Sequence, residues 1–201
     1  MIKYKNNKII IVVFSGGIAS GKTTVSKELV NNFLYKRIST GTYLSKKSAD
    51  NGRDVDRETL QNIGEELDIE SGGSWVVDLA KEEIHQDRDR KVWVFDSIRR
   101  DFQLKKFLDE FQSSIFHVHI EAPRGISESR FYIRAPEDGR DVNVNFDVIK
   151  SNETEIHAGN LGPSADLVLN TAKFSPSECA KIINDNVEKK MGEGDEANNI
   201  D

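Results

Sequence analysis

Gly16-Gly17-Ile18-Ala19-Ser20-Gly21-Lys22-Thr23 satisfies the pattern G-x-x-x-x-G-K-[ST] at every fixed place. Glycines let a backbone fold so that successive amide hydrogens point inward, and a helix beginning at Lys22 adds its positive dipole end to the same spot. The chemistry this suits is a grip on a di- or triphosphate. Lys22 would bridge the terminal phosphates as a point charge, and the Thr23 hydroxyl would enter the shell of a magnesium ion that offsets the remaining charge. Ile18, Ala19, Ser20 and Thr24 complete the expected nucleotide-binding stretch from Gly16 to Thr24.

Asp96 closes the hydrophobic run Val92 to Phe95, where a carboxylate can hold a magnesium-bound water. Ser97 follows it, so no carboxylate stands next in sequence to activate water for hydrolysis. Phosphoryl transfer needs positioning and charge neutralisation more than a strong base, which directs attention to arginines. Arg99 and Arg100 follow Asp96 at the strand end where ligands sit in open α/β sheets. Arg130 and Arg134 lie four apart on one helix face and lead to Arg140, in a charged, turn-rich stretch expected to be an exposed mobile loop able to close over a nucleotide. Lys22, Asp96, Arg100, Arg130 and Arg134 are therefore the expected catalytic group, with Thr23 and Asp96 on the metal side.

These residues must be presented by strands and helices in alternation. Ile9 to Phe14 is an unbroken β-branched and aromatic run, as in a strand buried on both faces, and Val25, Leu29, Val30 and Phe33 recur at helical spacing from Lys22 to Leu34. Further strands are expected at Arg37 to Ser39, Val92 to Phe95, Ser114 to Ile120 and Asp166 to Leu169. Helices are expected at Thr42 to Ser48, Asp56 to Asp68, Ser74 to His85, Asp101 to Phe111, Pro123 to Arg134, Phe146 to His157 and Ser175 to Lys189. The pattern predicts a doubly wound α/β domain, a parallel sheet with helices on both faces. It spans 9–189, with a polar lead-in at 1–8, an inserted helical block at about 42–88 and an aperiodic tail at 190–201 expected to be disordered.

The 201 residues carry a net charge of −6 with 37% apolar residues, enough for one core. That acidic balance argues against a dedicated duplex-DNA binder. The single cysteine, Cys179, excludes a disulfide scaffold, no apolar run reaches membrane-spanning length, and a cytoplasmic setting is expected. His117 and His119 share one face of a strand and read as satisfied core histidines before metal ligands.

In order along the chain, the phosphate loop, Ser39-Thr40-Gly41 with Leu44, Asp96-Ser97-Ile98-Arg99-Arg100 and the Arg130 to Arg140 region resemble the nucleoside monophosphate kinase group of P-loop kinases, which includes adenylate kinase and dephospho-coenzyme A kinase. The resemblance implies a five-stranded parallel core, a helical acceptor-binding insertion, an arginine-bearing lid at about 130–144, and transfer of the γ-phosphoryl group of ATP, with magnesium, to a small-molecule acceptor. It implies acceptor contacts at Ser39, Thr40, Gly41, Arg99 and Arg100. Thr42 and Ser45 stand where the group usually has Asp and Arg. Arg53 and Arg57 are candidates for the missing cation, and a surface salt-bridge face with Asp54, Asp56 and Glu58 is the alternative. Nucleoside or deoxynucleoside monophosphates are the expected acceptors. Dephospho-coenzyme A, a nucleic acid terminus or modified base, and a non-catalytic nucleotide-dependent switch remain alternatives.

Overall fold

The computed structural model describes residues 8–134 and 144–196. Five parallel strands, β1 (Ile10–Ser15), β2 (Lys36–Ile38), β3 (Val92–Phe95), β4 (Ile115–Glu121) and β5 (Leu167–Asn170), form one sheet in the order β2-β3-β1-β4-β5. Register is set by β1, which pairs Val12 with Val94 on one side and with Phe116 on the other. Its alternate residues bury in opposite directions, which is why the run is apolar at consecutive positions. Ile10, Val12 and Phe14 pack with Val25 and Leu29 of α1 (Lys22–Phe33) and with Ile183 and Val187 of the C-terminal helix. Ile11 and Val13 pack with Trp93, Phe95, Leu104 and Phe107 on the other face. At about 1.5–3 kcal/mol for each large apolar side chain fully buried, β1 anchors the fold and carries the phosphate loop at its C-terminal edge.

Between β2 and β3 stand α2 (Thr40–Asp50), α3 (Arg57–Ser71) and α4 (Trp75–Gln86), the expected inserted block. After β3 comes α5 (Asp101–Phe111), and after β4 comes α6 (Arg124–Arg134). The single helix expected over Phe146 to His157 is two, α7 (Phe146–Lys150) and α8 (Glu153–Gly159). The break is chemical: the Asn152 side chain accepts the Thr154 N–H at 2.9 Å and starts a new helix where Ser151 ends the old one. The final helix, α9 (Pro176–Glu196), runs past Lys189, which corrects the expectation of a disordered tail over residues 190–196, and residues 197–201 of that expected tail lie outside the described residues. Its apolar stripe Ile183, Val187 continues one turn further to Met191, which is buried in the same core. Among the described residues no helix is long and apolar enough to cross a membrane.

Candidate active site

The phosphate loop leaves β1 through Ser15 and turns on residues with positive φ: Gly16 at 132°, Ala19 at 54° and Gly21 at 108°. At Gly16 the requirement is also spatial, because a Cβ there would stand 2.0 Å from the Ile120 carbonyl oxygen. The loop is thus pressed against β4 so closely that only glycine fits. Thr23 and Thr24 are exposed at the start of α1, and Lys22 folds back so that its Nζ donates to the Gly16 and Gly17 carbonyls at 2.5 and 2.8 Å. Burial lowers the Lys22 ammonium from 10.5 to about 8; the charges of Glu155 and Asp96 oppose that fall, and those of Arg99 and Arg57 add to it. Lys22 therefore remains mostly protonated at neutral pH, a desolvated cation within the ring of loop atoms.

Beneath the loop, Ser15 Oγ lies 2.8 Å from both His117 Nε2 and His119 Nδ1. His117 Nδ1 faces the Ser164 carbonyl at 3.2 Å, which can only accept. With both rings neutral, the proton order follows: His117 donates to Ser164, Ser15 donates to His117, and His119 donates to Ser15. Burial pushes both imidazoles below their ordinary range, consistent with core histidines satisfied by hydrogen bonds. Among the described residues no group of three or more metal-ligating side chains occurs.

Arg130 reaches from α6 to the same loop. It donates to Thr171 Oγ1 at 2.7 Å and to the Thr171 carbonyl at 3.1 Å, while the Thr171 hydroxyl donates to the Ser20 carbonyl at 2.8 Å. This clasp joins the end of β5 to the phosphate loop. Asp96 is buried, as a strand-end carboxylate should be, yet its Oδ2 is held by the Arg37 guanidinium and its Oδ1 accepts the Thr40 N–H at 3.3 Å. The expected metal-side carboxylate is thus the partner of an arginine that sequence reasoning passed over.

A cleft of about 1470 Å³ opens from Ile18 and Ala19 of the loop toward the inserted helices. Thr40, Gly41, Arg57, Arg99, Arg100, Arg130 and Arg134 all line it, so most of the expected acceptor and transfer residues converge. Arg57 and Arg99 both reach Glu155 Oε1, at 2.8 and 3.2 Å, and Arg100 donates to Glu153 at 3.1 Å and to Thr154 at 3.3 Å. Two other expected acceptor residues, Ser39 and Arg53, lie apart from this group. Ser39 is not among the cleft-lining residues and instead caps α2, accepting the Thr42 N–H at 3.2 Å. Arg53 is exposed and pairs with Glu66 at 2.9 Å on the outer side of α3, the surface salt bridge weighed against a binding role. Arg140 and residues 135–143, most of the lid expected at about 130–144, lie outside the described residues.

At the far end of the cleft, Trp75 stacks on Tyr43 with centroids 5.7 Å apart and donates Nε1–H to Asp68 at 2.7 Å. Gln103 donates to Asp68 at 2.8 Å and accepts the Arg99 N–H at 3.1 Å. Arg37, Asp68, Gln103, Glu155 and Thr171 carry no local motif, and only their partners, distant in sequence, identify them.

The family model described as "AAA domain" matches residues 15–142. No curated protein matches the sequence significantly. Among solved structures, the chain is similar to shikimate kinase from Acinetobacter baumannii in complex with shikimate (12% identity, 91% of this chain and 95% of that one, TM-score 0.55). It is also similar to a sugar kinase from Janibacter sp. HTCC2649 (14%, 87% and 92%, 0.52). Shikimate kinase from Aquifex aeolicus is a third (17%, 89% and 96%, 0.51). At these identities the likeness is one of fold, and the fold is that of the P-loop kinases.

Proposed function

We propose, starting from a chain that belongs to the AAA domain family and has the P-loop kinase fold, that this protein transfers the γ-phosphoryl group of ATP to a small anionic acceptor, most simply a nucleoside or deoxynucleoside monophosphate. The observation that carries this reading is the shared cleft. The phosphate loop lines it at one side, and Arg57 at the start of α3 and the adjacent pair Arg99 and Arg100 between β3 and α5 line it as well. A cation cluster of that kind suits an acceptor that is itself an anion, because guanidinium groups match phosphate geometry and neutralise charge that two polyanions would otherwise bring together.

The residues present fit a nucleotide with magnesium. Gly17 faces open space where a side chain would project, which leaves room for a polyphosphate against the backbone, and the exposed Thr23 stands at the start of α1. Lys22 and Thr23 would hold the phosphates and the ion, with Asp96 as an acceptor for a water of its shell. Magnesium, when bound, screens phosphate charge. The protein's own part is positional: Lys22 and Arg130 orient the donor, Arg57, Arg99 and Arg100 orient the acceptor, and Ser97 in place of a carboxylate leaves water without a base beside Asp96. A cytoplasmic enzyme of nucleotide metabolism is the setting this reading implies.

The test is ADP release from ATP and magnesium, alone and with nucleoside monophosphates, dephospho-coenzyme A, shikimate, nucleosides and short oligonucleotides. Stimulation by monophosphates is expected. Stimulation only by a neutral hydroxyl acceptor, or by none, refutes it.

A further inference from the structure

Glu155, behind the cleft-lining Arg57 and Arg99, is the least explained charge of the site. Its side chain is 7% exposed, and a single oxygen serves two guanidiniums that come from different parts of the chain, Arg57 at the start of α3 and Arg99 after β3. The first turn of the helix that carries it makes polar contacts, with Asn152, its cap, accepting from Gln61 at 3.0 Å and Glu153 and Thr154 accepting from Arg100, while Ala158 in its last turn is buried. Ile156 on the same helix is 48% exposed. A carboxylate brings one negative charge to this pair of cations, whereas a phosphate monoester brings nearly two and more acceptor oxygens.

We propose that Glu155 is an internal stand-in for the acceptor's anion: it occupies the seat between Arg57 and Arg99, and a phosphate-bearing ligand displaces it and frees α8 from the cleft. The resting protein thereby keeps the two half-exposed arginines paired with a buried carboxylate until an acceptor arrives. A neutral acceptor cannot make the exchange, so the device also selects for anions. Its role in transfer rests on the kinase reading, but the seat itself can be tested without turnover.

Isothermal titration with inorganic phosphate compares the unmodified chain with Glu155→Gln, which keeps the shape and removes the charge. If the Glu155-seated form makes up nine-tenths of the population, apparent affinity is reduced about tenfold and the variant recovers that factor. Adding Arg99→Ala to Glu155→Gln abolishes the gain, which locates the phosphate in this seat and not in the phosphate loop. Unchanged or weaker binding by Glu155→Gln, or a gain that survives Arg99→Ala, overturns the proposal. In the unmodified chain, saturating phosphate speeds amide hydrogen exchange across Glu153–Gly159; slower or unchanged exchange there overturns it as well. Neither measurement uses ATP, so a protein that transfers nothing would still show the exchange of anions, and a working kinase could still lack it.

Discussion

Replacing Lys22 with methionine should stabilise the protein while removing its grip on nucleotide. The fall of the Lys22 ammonium from 10.5 to about 8 corresponds to about 3 kcal/mol of unfavourable burial, at about 1.4 kcal/mol per tenfold change. Methionine fills a similar volume without charge. The loss of the two contacts to the Gly16 and Gly17 carbonyls returns about 1–2 kcal/mol of that, leaving a net gain of about 1–2 kcal/mol at pH 7. For a chain of this size the melting temperature then rises by roughly 2–8 °C. The pH dependence identifies the cause. Because the folded-state value lies below the unfolded one, the unfolded chain binds more protons between about pH 8 and 10.5, so the unmodified protein gains stability across that window while the variant does not. The advantage of Lys22→Met is full below pH 8 and shrinks by about 1.4 kcal/mol for each pH unit above it. Calorimetric melting at pH 7 and pH 9.5 measures this, and titration with an ATP analogue should show affinity reduced by about 10² for loss of a charge-assisted contact. A variant less stable than the parent at pH 7, or an advantage that does not change with pH, would refute the claim that Lys22 is held as a costly buried cation.

Gly16→Ala places a methyl group 2.0 Å from the Ile120 carbonyl on a backbone at φ 132°, so the loop must move; stability should fall by about 1–3 kcal/mol and transfer by on the order of 10², seen in melting and steady-state rates together. Arg130→Ala opens the clasp to Thr171 and the phosphate loop, and transfer should fall by on the order of 10³ if this guanidinium meets the transferring group; a change confined to stability would restrict Arg130 to a structural role. His117 and His119 are both buried below their ordinary value, so the unfolded chain binds more protons as pH falls through about 6.5 and the protein loses stability from there downward. The pair His117→Asn, His119→Gln should flatten the fall in melting temperature between pH 7 and pH 5, and an equally steep fall would show that other groups control the acid limb.

Several parts of this molecule were legible because they obey local rules. The phosphate loop is one: its amide geometry needs glycines at particular steps, and the strand before it and helix after it are visible in the periodicity of Ile9 to Phe33. β3 and α5 fall where the apolar runs place them, at Val92–Phe95 and Asp101–Phe111. The break at Asn152 and the extension of α9 to Met191 were misread for related reasons. A cap inside a polar stretch looks like helix, and one buried methionine among charged residues looks like tail until the core that receives it is known.

The arginines mark the boundary between the two kinds of information. Position after the strands indicated that Arg99, Arg100 and Arg130 belong near one edge, since parallel strands deliver their C-terminal ends there, whereas Arg57 entered only as a candidate for a missing cation beside a surface salt-bridge alternative. Their partners could not be read that way. Arg37 takes Asp96 from 59 residues away, Arg57 takes Glu155 from 98, and Arg130 takes Thr171 from 41. A guanidinium satisfies any nearby carboxylate or hydroxyl, so its type names no address. Backbone conformation is encoded within a few residues, whereas which charge neutralises which depends on how strands are ordered and how helices close over them, and those distances exist only once the chain has folded.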